Sequence, residues 1–159
     1  MKVTKEFGDR RVRRSSEFDG LIEDLVGKDK PFVTIRDAQL FAACLGFSRD
    51  VRLKLGKKQS EPIRWDVMSN RPGTEMAVNL IAVLKNPEDP EILSEERFDE
   101  RISIFEEYAS GGFSIIRDIT DSSPNPIRDS LLQLINEFLP KVSGDQENDI
   151  TGALEAMFN

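Results

Sequence analysis

Between Phe47 and Met68 the chain carries six cations, Arg49, Arg52, Lys54, Lys57, Lys58 and Arg64, interleaved with Phe47, Val51, Leu53 and Leu55. Guanidinium and ammonium groups spaced this way can contact the phosphates of a polyanion while the apolar residues hold the segment on a core. If the segment is extended, Arg52, Lys54 and Lys58 share one face. The pattern also fits a half-buried edge strand, where lysines discourage strand-to-strand aggregation. Both readings stand on the residues alone.

Other chemistries find little support. The chain has no histidine and one cysteine, which removes the usual zinc sets and the usual nucleophile and base pairs. No phosphate-cradling glycine loop follows a strand, since Gly111 and Gly112 lie outside any strand–helix unit. Glu95, Glu96, Asp99, Glu100, Glu106 and Glu107 can be imagined around a hard metal, but acidic runs of this kind are mostly solvated helix faces. Cys44 has no cation or histidine beside it in sequence and reads as a small buried core residue. The expectation is a non-enzymatic protein with no catalytic residue, metal or cofactor.

The net charge of −7 conceals a division. Residues 1–60 carry 14 Lys and Arg against 9 Asp and Glu, whereas residues 61–159 carry 8 against 20. Such asymmetry suits a polyanion-facing surface, or oppositely charged faces that pair between subunits, or an acidic half that only solubilises the fold. No apolar run approaches the roughly 18 residues that span a bilayer, and no apolar stretch follows the basic N-terminus, so a cytoplasmic protein is expected.

The elements that must position these cations are mostly helical. Residues 1–16, with Arg10, Arg11, Arg13 and Arg14, read as a flexible basic arm; residues 17–140 form one domain; residues 141–159 are linker and tail, with Ile150, Leu154 and Phe158 as apolar positions. Helix one is capped at Ser15 or Ser16 and buries Phe18, Leu21, Ile22 and Leu25. Helix two opens on the Thr34–Asp37 pair and ends at Gly46 as a left-handed residue. Alternation in PIRWDVM predicts a strand with Ile63, Trp65 and Val67 on one face. Helix three, capped by Thr74, carries Met76, Ala77, Leu80, Ile81 and Leu84; helix four buries Phe98, Ile102, Phe105 and Ala109 and is broken at Gly111–Gly112. Two more helices follow, the last with Ile127, Leu131, Leu134, Ile135 and Phe138. The fold class is mainly α, a compact bundle of five to six helices with a short basic β-ribbon or strand between helices 2 and 3.

The strings RDAQLFAACLGFSR, LGKKQSEPIRWDVM, NLIAVL and RISIFEEYASGGFSII resemble the Dnd system-associated protein 4 family, found beside bacterial DNA phosphorothioation genes, over about residues 17–117. The resemblance implies an accessory role in a DNA-modification and phage-defence system, and brings no known activity. The order of a helix, a basic aromatic strand and two helices is also loosely similar to DndE, a small oligomeric DNA-associated component of the same system. With the resemblance, the leading reading is DNA contact through Arg49, Arg52, Lys54, Lys57, Lys58 and Arg64. The alternative is a protein-interaction or oligomerisation subunit without nucleic-acid contact. The expected partners are DNA, other DNA-modification or restriction proteins, and further copies of the chain, with no membrane.

Overall fold

The computed structural model describes Phe7 and residues 9–138; the expected linker and tail lie outside the described residues. It contains strand β1 (Arg11–Val12), helices α1 (Asp19–Leu25) and α2 (Ile35–Ser48), strand β2 (Ile63–Arg64), and helices α3 (Trp65–Ser69), α4 (Thr74–Lys85), α5 (Phe98–Ser122) and α6 (Ile127–Phe138). Short 3-10 turns at Ser16–Phe18, Pro90–Leu93 and Glu95–Arg97 lead into α1 and α5. The mainly helical class with a short strand between the second and third helices is the one expected. Thr34 caps α2 as its spacing predicts, its hydroxyl oxygen accepting from the Asp37 N–H at 3.3 Å and donating to the Asp37 carboxylate at 2.7 Å.

The centre of the fold is the crossing of α2 and α5. A Cβ built on Gly46 would lie 2.0 Å from the Tyr108 carbonyl oxygen, and one on Gly112 1.8 Å from that of Ala42. The two backbones therefore meet where neither helix has a side chain. Gly111 does the same for the chain leaving α2, since its Cβ would lie 1.7 Å from the Val51 oxygen. This corrects two expectations. Gly111–Gly112 do not break a helix, and α5 runs unbroken for 25 residues. Gly46 is buried inside α2, and the left-handed residue after it is Asp50, at φ 54°.

One core lies on each side of the seam. Phe98, Ile102, Phe105 and Tyr108 of α5 pack with Trp65, Met68, Val78, Ile81 and Ile92. Beyond the glycines, Phe113 and Ile116 pack with Phe18, Ile22, Leu25, Leu45, Leu131 and Leu134. Three further expectations change. PIRWDVM is a strand only at Ile63–Arg64; a helical turn then buries Trp65 and Met68, three apart, and leaves Val67 exposed. Trp65 meets Phe98 edge-on at 5.1 Å between centroids. In α4 the buried face is Val78, Ile81 and Ala82, leaving Met76, Leu80 and Leu84 exposed. That helix is apolar on nearly every side, so periodicity alone does not choose its inner face. Cys44 is exposed on the outer side of α2, beside Phe41, Ile135 and Phe138, whose apolar cover pushes its thiol pKa up.

Residues 10–16 are not a flexible arm. Val12 and Ser15 are fully covered, and the Glu106 carboxylate, 1 % exposed, receives the Arg13 backbone N–H at 2.7 Å and its guanidinium at 2.8–3.2 Å. Gln39, buried in α2, donates its amide to the Arg13 carbonyl at 3.0 Å. One buried acid thus fixes the segment against α5 with a charge-assisted fork, roughly twice the strength of neutral hydrogen bonds.

Two outcomes test this account. Urea unfolding of Gly112→Ala should show a loss of about 3 kcal/mol or more, because a backbone contact cannot yield as a side chain can. Gly20→Ala, where a Cβ meets nothing within 4 Å, should stay within about 1 kcal/mol of the parent, on the stabilising side. Glu106→Ala should cost about 2–4 kcal/mol, and Glu106→Gln less because it keeps an acceptor. In both, amide exchange at Arg13 and Trp65 should speed up ahead of that in α5; unchanged protection there would contradict the assigned anchor.

Candidate nucleic-acid interface

The basic stretch is positioned by two tethers. Residues 10–16 run antiparallel to residues 58–65, with Arg11 opposite Arg64, Val12 opposite Ile63, and a bridge from Ser15 to Gln59. Hydrogen bonds continue the pairing, from Trp65 N–H to Arg10 O at 2.6 Å, Ser60 N–H to Arg14 O at 3.1 Å, and Ser16 N–H to Lys58 O at 3.1 Å. The chain from Val51 to Gly56 forms neither helix nor strand, so no ribbon runs through it. It is held by Val51 N–H to Gly46 O at 2.8 Å, Leu53 N–H to Glu107 O at 3.0 Å, and Gly56 N–H to Ser15 Oγ at 2.8 Å. A ribbon does exist, but its second chain is the segment expected to be a free arm.

Six cations expected at the surface divide into two sets. Arg49 donates to Glu137 at 2.5 Å and lies 5.0 Å from the Phe138 ring. Arg52 donates to Glu107 at 2.5 Å and lies 5.7 Å from the Tyr108 ring. Arg64 meets Asp66 at 2.8 Å and Asp9 at 3.2 Å, which offsets the like charge of Arg11 directly across the ribbon. Lys54, Lys57 and Lys58 are exposed and have no acidic partner among the described residues. Exposed pairs of the first kind are worth about 0–1 kcal/mol each, so a phosphate can compete for those arginines, but only the lysines offer their whole charge at no such cost.

The N-terminal arginines are mostly paired within the chain. Arg10 pairs with Asp99 and Arg13 with Glu106; Arg14 donates to the Glu61 carbonyl at 2.6 Å and approaches Asp19 at 4.0 Å. Arg11 alone of the four has no acidic partner among the described residues, and it stands exposed at the far end of the ribbon from Lys58. The basic loop is also fixed where it begins. Lys85 pairs with Asp50 and lies 5.6 Å and 5.5 Å from the Phe47 and Tyr108 rings. This ammonium holds the Asp50 carboxyl below the usual carboxylate range, and Asp50 in turn keeps Lys85 protonated above its ordinary value.

Such a surface can contact phosphates as point charges. Among the described residues no three His, Cys, Asp or Glu side chains gather as a metal site, and no helix is long and apolar enough to cross a membrane.

Comparison with known proteins identifies the family. The family model for DNA sulphur modification system-associated protein 4 matches residues 11–153. The match extends past the strings at 17–117 on both sides, taking in the strand segment at Arg11. No curated protein and no solved structure matches the chain. The chain belongs to the DNA sulphur modification system-associated protein 4 family.

Proposed function

We propose that this family member is a non-enzymatic accessory of a DNA sulphur modification system and meets DNA through the lysine loop. The observation that carries the reading is the contrast within the basic stretch: Lys54, Lys57 and Lys58 are exposed without acidic partners among the described residues, while the backbone under them is hydrogen-bonded to α5 and to Ser15 and Ser16. A cation loop held this firmly loses little entropy on meeting a phosphate backbone. Three lysines make a small footprint, so the affinity is low and non-specific, suited to a protein brought to DNA by companions of the system. Arg49, Arg52 and Arg64 are auxiliary, reaching DNA only by leaving Glu137, Glu107 and Asp66.

The second reading, a protein-interaction subunit with no DNA contact, is favoured by one observation. Half of the candidate cations already hold acidic partners within the chain.

A salt titration of duplex-DNA binding separates the two. Binding should be measurable at low salt, and log K should fall linearly with log salt at a slope of about −0.9 per phosphate contacted. Replacing Lys54, Lys57 and Lys58 by Ala should flatten that slope by about two to three, whereas Arg52→Ala should change it by less than one. No binding at low salt, or a triple variant that binds like the parent, would remove DNA contact through this loop.

A further inference from the structure

Helix α4 leaves Met76, Leu80 and Leu84 exposed by 66 %, 51 % and 58 %, and Leu93 on the following turn by 48 %. Intervals of four place the three helical residues in one row. Met76, Leu80 and Leu93 line a depression of about 460 Å³. That depression shares Glu75, Asn79 and Leu93 with a neighbouring cleft of about 640 Å³ walled by Trp65 and Phe98. Together they form one groove, mainly apolar along α4 and mixed polar and aromatic in the cleft. Single exposed leucines are ordinary on any surface; a row of them continuous with an aromatic cleft marks a binding face.

Charge decides the occupant. Glu75 lies where the two depressions join, Glu95 edges the cleft, and Glu91 is exposed on the turn that carries Leu93. None of the three forms a salt bridge among the described residues, where Lys85 pairs with Asp50, Arg71 with Asp37, and Arg97 with Asp89 and Glu100; Glu75 alone feels a cleft cation, Arg101, through space. Arg101, the cation of the cleft, is 7 % exposed and donates to the Ile92 and Ser94 carbonyls at 2.7 and 2.6 Å. A second copy meeting this face across a twofold axis would bring two acidic rims together, which is unfavourable.

We propose that the groove docks a basic amphipathic helix of a partner protein. Its apolar residues, at i, i+4 and i+7, lie on Met76, Leu80, Leu84 and Leu93, and its flanking lysines or arginines meet Glu75, Glu91 and Glu95. The assignment is independent of the lysine loop, and either can fail without the other.

The test uses the full chain and two synthetic tryptophan-free helical peptides with identical leucine rows, one with lysines on the polar face and one with glutamates. Trp65, the chain's only tryptophan, reports affinity by its emission, and backbone amide shifts report location. The lysine peptide should bind saturably, shifting amides of residues 75–84 and 91–95, and the glutamate peptide should not bind. Met76→Ser with Leu80→Ser, at exposed positions where the cost to folding is small, should weaken binding at least about tenfold, as loss of a central apolar anchor does. Glu75→Gln with Glu91→Gln should weaken it less and flatten its salt dependence. Equal binding of both peptides, serine variants that bind like the parent, or shifts centred elsewhere would overturn the proposal. So would groove amides that shift with protein concentration alone, since the occupant would then be a second copy.

Discussion

Everything in this fold hangs on how closely α2 and α5 approach. At Gly46 and Gly112 the helices touch backbone to backbone, with no room for a methyl group on either side. Protein interiors are packed too densely to absorb such a contact by drifting apart, because separating the helices would open voids in both cores. Gly111 extends the constraint past the end of α2 by admitting the Val51 carbonyl, so the exit direction of the basic loop is set by the same surface. The position of Lys54, Lys57 and Lys58 therefore traces back to three missing side chains some distance away.

Much of the helical frame was legible in the sequence because capping and apolar spacing are local signals. Thr34 with Asp37 marks the start of α2, and Phe98, Ile102, Phe105 and Ala109 mark the inner face of α5. What misled was residue type read without its tertiary neighbour. A glycine pair that breaks an isolated helix is, inside a bundle, the only pair that permits a close crossing. PIRWDVM satisfies both period 2 and the i, i+3 spacing of Trp65 and Met68, and the packing of Trp65 on Phe98 favours the helical turn after two residues of strand. In α4 the chain offers more apolar surface than its neighbours cover, so its inner face was not readable in advance.

The candidate interface was legible as a composition but not as a set of free charges. Counting cations over residues 1–60 gives an excess, yet Arg10, Arg13, Arg49 and Arg52 all find carboxylates in the acidic half. Part of the division of charge along the chain therefore serves internal pairing. Arginine suits that work, since its planar fork can hold a carboxylate in a fixed geometry, as Arg13 does with Glu106. In the basic loop lysine, a hydrated point charge on a mobile stem, is what remains unpaired among the described residues.

The Arg13–Glu106 contact also joins residues 93 positions apart. Ordering so long a loop costs entropy, which the buried Glu106 carboxylate offsets with charge-assisted hydrogen bonds to the Arg13 backbone and guanidinium. The same segment pairs with β2 on its other side. Residues 10–16 thus act as a strap between β2 and α5, laid over the bundle that meets at its glycines.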